Sequence, residues 1–195
     1  MAEINNIPMF PLTILPIPGE LVPLHIFEPR YRQMLQDLES TDMSFGIYFS
    51  HQINTAKIGS LMKLKSIIKR YPEGESDIMV KCVDIICLDK LYRNFSSKLY
   101  PGGDIIYSNV VVDVIPAKAL SDSFMEYLNL RDNAQNISPF NIYQIAIELN
   151  LDVNNRYKFL LAPKEKKESF LMNQLTFQIH VLRQETKSKD LYHLN

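Results

Sequence analysis

The chain has 195 residues, 46% of them hydrophobic and 22% charged, a balance that excludes a disordered chain and fits one large domain or two small ones. A net charge of −1 gives little electrostatic drive toward nucleic acid or acidic membranes. The two cysteines, Cys82 and Cys87, are too few for a zinc site; they read as buried thiols on opposite faces of one strand.

The chain opens MAEINNIPMF, without the basic and apolar blocks of a signal peptide, and no window approaches 18 apolar residues. A soluble cytoplasmic protein is the expectation. Residues 7–18 carry Pro8, Pro11, Pro16 and Pro18, which block ladder hydrogen bonds and predict short edge strand and loop. Val22, Leu24 and Ile26 alternate as in a strand, and Leu24, Ile26 and Phe27 are expected to anchor it to the core. Pro29 opens a short helix whose stripe is Tyr31, Met34, Leu35 and Leu38. Strands are expected over 45–49, around Met62, Leu64 and Ile68, over 78–88 with burial on both sides, and over 105–115.

The apolar period then changes from 2 to 3.6. Ser123 and Glu126 form a capping-box pattern for one helix, Ser138 and Pro139 start a second, and Asn155 starts a third carrying Phe159 and Leu160. The last helix runs over about 165–185, lined by Leu171, Leu175, Ile179 and Leu182 and widened by Phe170, Phe177 and Val181; a polar tail frays after Thr186. Strands followed by helices, rather than alternating with them, predict an α+β fold.

The ordered run Ile7-Pro8-Met9-Phe10-Pro11-Leu12, Pro18-Gly19, and Leu24-His25-Ile26-Phe27-Glu28-Pro29-Arg30-Tyr31 resembles the opening of Lon N-terminal domains. Phe45-Gly46-Ile47 and Ile58-Gly59-Ser60-Leu61 resemble later steps of that pattern less closely. The resemblance implies a PUA-like mixed β-barrel with one short helix over 1–117, followed by an all-α helical bundle over 118–195, as in stand-alone bacterial Lon-domain proteins. It further implies a non-catalytic module that recognises unfolded or exposed apolar polypeptide segments. The partners it implies are unfolded or partly folded proteins and a separate ATPase or protease; no membrane partner is expected, and the net charge of −1 disfavours nucleic acid.

The residues themselves supply no chemistry of their own. No G-x-x-x-x-G-K-[ST] loop exists, so no site for ATP is expected. Ser60 with Lys63, or Ser66 with Lys69, are near only in sequence and lack an oriented base. His25, His51, His180 and His193 have no metal-ligand spacing, and His25 reads as packed and satisfied. No catalytic, cofactor-binding or metal-binding residue is therefore expected. Contact with polypeptide is expected in the loop after Leu12, at Leu15, Ile17, Pro18 and Leu21. Two alternatives stay open: RNA recognition by the barrel, seeded by Lys63, Lys65, Lys69 and Arg70, and a hydrolase using a barrel cleft.

Overall fold

Two prolines decide how the first strand is placed. In the computed structural model, which describes residues 3–131 and 140–192 and the side chains to residue 185, β1 (Asn5–Leu12) lies inside the sheet rather than at its edge. It pairs antiparallel with β6 (Gly102–Tyr107) through Pro8, and parallel with β3 (Phe45–Phe49) from Met9 onward. The Met9 N–H points toward β6, donating to Pro101 O at 2.8 Å. Pro11 faces that same side after the β6 ladder has ended, and Pro8 faces β3 before that ladder begins. Neither ring sits where a donor is required.

The remaining strands are β2 (Leu21–Ile26), β4 (Ile58–Arg70) and β5 (Ser76–Tyr92). The sheet order is β2-β5-β4-β3-β1-β6, and β6 also pairs with β5. The pairings thus close a ring of β1, β3, β4, β5 and β6, with β2 added to the first part of β5. Closure needs tight approach where β4 crosses β3: a Cβ on Gly59 would lie 2.4 Å from Ile47 O.

A bulge interrupts β5, and burial on both sides, as expected for the strand, holds only at Ile85 and Ile86. The register shifts where Met62 pairs with Cys82 and Leu61 with Asp84; Ile78, Val80 and Cys82 are buried before it, Ile86 and Leu88 after it. Cys82 is accordingly buried and Cys87 only half-buried, and both are free thiols. β6 ends at Tyr107, short of the expected 115, because the Asp84 carboxylate accepts the Asn109 and Val110 N–H groups at 2.9 Å and draws the chain out of the ladder.

Helix α1 (Pro29–Thr41) begins with Pro29 and buries Tyr31, Met34, Leu35 and Leu38, the stripe read from the sequence. These join Phe10, Ile26, Phe45, Ile47, Met62 and Val80 in one core cluster, each large side chain stabilising the fold by roughly 1.5–3 kcal/mol. Phe10 stacks on Tyr31 at 4.0 Å. Asp37 accepts the Tyr100 hydroxyl at 2.7 Å and Lys98 Nζ at 2.9 Å, which fastens α1 to the segment before β6.

The chain divides into two compact units, Met1–Val111 and Val112–Asn195. The second holds α2 (Lys118–Leu130), α3 (Ile142–Glu148), α4 (Val153–Leu161) and α5 (Lys164–Tyr192). The fold is therefore mixed α+β, with six strands and five helices among the described residues.

The helix starts differ from the sequence reading. Ser123 lies inside α2; the helix begins five residues earlier, and Glu168 of α5 caps it by accepting the Ala117 N–H at 3.2 Å. The expected start at Ser138 and Pro139 lies outside the described residues; α3 itself begins at a capping box of Asn141 and Gln144. Asp152, not Asn155, caps α4. Helix α5 continues past Thr186 to Tyr192.

Leu171, Leu175 and Ile179 of α5 are buried and Leu182 is half-buried, with α5 packed against α2 and α3. Phe177 and Val181 are exposed instead of widening the stripe. At 100° per residue Phe177 lies some 200° around from Leu175, so the two apolar rows occupy different sides of the helix.

Candidate functional site

Strand β2 is the end strand of the sheet, and its outward residues are largely apolar. Val22, Leu24 and Ile26 pack on the core, whereas Leu21, Pro23, His25 and the following Phe27 are exposed. Leu21 is 53% exposed and Phe27 54%. The register extends this face across β5 and β4 in three rows: Leu21–Lys81–Lys63, Pro23–Met79–Ser66 and His25–Asp77–Lys69. Leu21, Pro23 and half-buried Met79 thus form one apolar patch, with lysines at one end and an ionic cluster at the other.

The free edge of β2 is blunted. The Cys82 N–H donates to Glu20 O at 2.9 Å, which sets the ladder's phase: Val22 and Leu24 form hydrogen-bonded pairs with β5, and the main-chain groups of Leu21, Pro23 and His25 turn outward. Proline in the middle of that edge supplies no donor, so an added strand would lack its central bond. A polypeptide held here contacts the side chains of the face rather than extending the sheet.

The cluster at the other end fixes Phe27. His25 Nδ1 lies 2.7 Å from Asp77 Oδ1 and its Nε2 3.3 Å from Glu75 Oε2. Tyr71 donates its hydroxyl to the other Asp77 oxygen at 2.7 Å. The Asp77 hydrogen bond and the carboxylate charges raise the His25 pKa above its ordinary value. The Tyr71 and His25 hydrogen bonds hold Asp77 below the usual carboxylate range. When protonated, His25 faces a carboxylate with each ring nitrogen and joins β2 to β5. It is satisfied, as expected, yet exposed rather than packed. Arg32 of α1 donates to Phe27 O at 2.7 Å and to Glu73 O, holding Phe27 beside His25, whose ring it meets at 5.9 Å.

Of the loop residues expected to meet polypeptide, only Leu21 is exposed. Leu15, Ile17 and Pro18 are buried. The loop is strapped down: Ser60 Oγ donates to Pro16 O at 2.7 Å, the Ile17 N–H donates to the Glu20 carboxylate at 2.8 Å, and the Gly19 N–H donates to Cys82 O at 2.8 Å. Gly19 takes φ 95°, a turn that glycine adopts without strain. With the backbone satisfied this way, the apolar side chains turn into the core. Pro23, Phe27 and Met79 lie outside that expectation, although the parity opposite to Val22, Leu24 and Ile26 marks the first two as outward-facing. Phe27 itself is the opposite of the core anchor expected of it.

The residues weighed for other chemistry are engaged elsewhere. Ser60 is fully buried on Pro16 O, while Lys63 pairs with Asp42 at 2.9 Å, so the two are not a nucleophile and its base. Arg70 pairs with Glu39, and Lys69 Nζ lies 4.4 Å from the Tyr71 ring centre, which leaves no continuous basic stripe for RNA. Among the described residues no group of three or more His, Cys, Asp or Glu side chains is placed to hold a metal ion. No helix among them is long and apolar enough to cross a membrane.

The family model for the ATP-dependent protease La (LON) substrate-binding domain matches residues 6–179. The chain belongs to this family. A Lon N-terminal domain protein from Xanthomonas campestris shares the fold at a TM-score of 0.63 and 16% identity, over 81% of this chain and 90% of that one. The N-terminal domain of a Mycobacterium avium complex Lon protease aligns at a TM-score of 0.47 and 13% identity, over 91% of this chain and 96% of that one. No curated protein is similar enough in sequence to match. In this Lon-type domain the matched stretch spans the whole β2–β5–β4 face.

The helical unit holds a groove of about 460 Å³ lined by Tyr127, Arg131, Leu149, Phe177, Gln178 and Val181. Phe177 is 66% exposed at its rim. Arg131 donates to the Tyr127 hydroxyl at 2.7 Å, and Gln178 to Leu149 O at 3.0 Å.

Proposed function

We propose that this substrate-binding-family chain recognises exposed apolar segments of unfolded or partly folded proteins on the outer face of β2, and catalyses no reaction itself. The observation that carries this is the run of Leu21, Pro23 and Phe27 in solvent on one strand, next to Met79. Apolar side chains aligned on a strand whose edge is blunted suit capture of a segment by its side chains. The family match supports polypeptide as the ligand. The engagement of Ser60, Lys63 and His25 supports a non-catalytic role.

On this reading the strand-rich part over 1–117 acts as a PUA-like barrel, an assignment supported by the closed ring of pairings. The part over 118–195 acts as a helical bundle around α5, supported by the packing of α2 and α3 on that helix. The chain works in a bacterial cytoplasm and passes its clients to a separate ATPase or protease.

Hydrogen exchange tests the location. Adding a reduced, carboxymethylated client protein should slow exchange in residues 21–27 and 77–81. Protection confined to the helical unit would overturn the reading.

A further inference from the structure

The upper row of the β2–β5–β4 face has an arrangement that the fold alone does not require. Lys81 of β5 stands directly opposite Lys63 of β4, and Leu21 of β2 stands directly opposite Lys81 on the other side. Like charges facing one another across antiparallel strands destabilise the pair. Asp42, the αL residue that ends α1, relieves Lys63 at 2.9 Å. Among the described residues no carboxylate forms an ion pair with Lys81. The acids nearest to it along the sheet are already engaged. Glu20 accepts the Ile17 N–H, Asp77 is held by His25 and Tyr71, and Asp84 by the N–H groups of Ile85, Asn109 and Val110. Lys65, the extra residue at the next register shift of β4, is exposed close by. The result is a cationic end on an otherwise apolar patch.

We propose that this face selects extended polypeptide segments in which an acidic side chain accompanies apolar ones, the carboxylate meeting Lys81 while the apolar residues cover Leu21, Pro23 and Met79. The inference rests on the reading that the β2 face binds polypeptide, and it adds a charge preference to it. A carboxylate placed at Lys81 neutralises the lysine of the pair that has no acidic partner among the described residues and gains charge-assisted hydrogen bonds. A basic segment would add a third like charge beside them and is rejected by the same geometry.

The test uses the full chain and three fluorescein-labelled unstructured peptides with identical apolar residues and acidic, neutral or basic flanks, read by anisotropy. The acidic peptide should bind about fivefold tighter than the neutral one at low salt, the gap closing as ionic strength rises. Lys81→Glu should invert the order, and Lys81→Gln should abolish it, with unchanged thermal melts for both. Leu21→Asp should weaken binding of all three. If the acidic peptide binds no tighter than the neutral one, or if both Lys81 variants leave the order unchanged, the charge preference is wrong while the site stands. If Leu21→Asp leaves all three affinities unchanged, the site itself is wrong and the charge preference falls with it.

Discussion

His25 Nδ1 lies 2.7 Å from Oδ1 of Asp77, the residue directly across the β2–β5 ladder. The pair joins the strand that carries Leu21 and Phe27 to the strand that carries Met79 and Lys81. Both groups are solvent-accessible, so the link strengthens or fails with pH rather than being locked in by burial.

The direction follows from the shifts. His25 is raised above 6.5, mainly by the Asp77 hydrogen bond, so its contribution is full below 6.5 and is lost as pH rises through the higher folded value. Asp77 is lowered from 3.8, chiefly by the Tyr71 hydrogen bond, so its contribution is present above 3.8 and is lost as pH falls through the lower folded value. The wild-type chain should therefore lose urea stability relative to His25→Gln as pH rises from about 6 to 8.5. Parallel stability curves for the two proteins across that range would show that the ion pair adds nothing.

Lys167 carries a second pH signature, in the helical unit. Its ammonium is buried near the end of α4, donating to Phe159 O and Leu160 O and lying 4.6 Å from the Phe159 ring centre. Burial pushes its pKa down to about 8 from 10.5. The folded state thus bears the cost of the buried charge below pH 8 and is relieved of it as pH rises toward 10.5. Measured against Lys167→Met, the wild type should gain stability between pH 7.5 and about 10. A difference that stays constant over that interval contradicts the assignment.

Leu175 has no solvent exposure at the centre of α5. Leu175→Ala should cost about 2–5 kcal/mol in urea denaturation, the range for a buried leucine that leaves a cavity. Phe177→Ala, on the opposite side of the helix and 66% exposed, should cost less than about 0.5 kcal/mol. Equal costs at the two positions would mean that α5 is rotated from the orientation described.

The fold was legible wherever one residue's pattern carried its own explanation. The α1 stripe of Tyr31, Met34, Leu35 and Leu38 is set by local period and by Pro29, and both survive folding unchanged. The misreadings share a different cause: a partner far away in sequence. Glu168 caps α2 from 51 residues along the chain, so Ser123 looked like the start. Ser60 holds Pro16 from 44 residues away, so a proline-rich loop that reads as exposed is buried. A bulge at Val83 shifts the register of β5 on β4, which no local pattern shows. At the candidate site, the apolar loop points to Leu21 only together with the buried Leu15, Ile17 and Pro18, and Lys81 opposite Lys63 emerges only from the register.

Polypeptide binding to the outer face of β2 is tested most directly by the affinity of one unfolded client for two surface variants. Leu21→Asp with Phe27→Asp places two carboxylates on the proposed face, and Phe177→Asp places one on the exposed rim of the helical groove. All three positions are exposed, so each variant should fold with an unchanged melting curve. Fluorescence titration with a reduced, carboxymethylated client should show the double variant binding at least about tenfold more weakly than wild type, a loss of about 1.4 kcal/mol, and Phe177→Asp binding as wild type does. Wild-type affinity in the double variant together with lost affinity in Phe177→Asp would contradict the account and place the site on the helices.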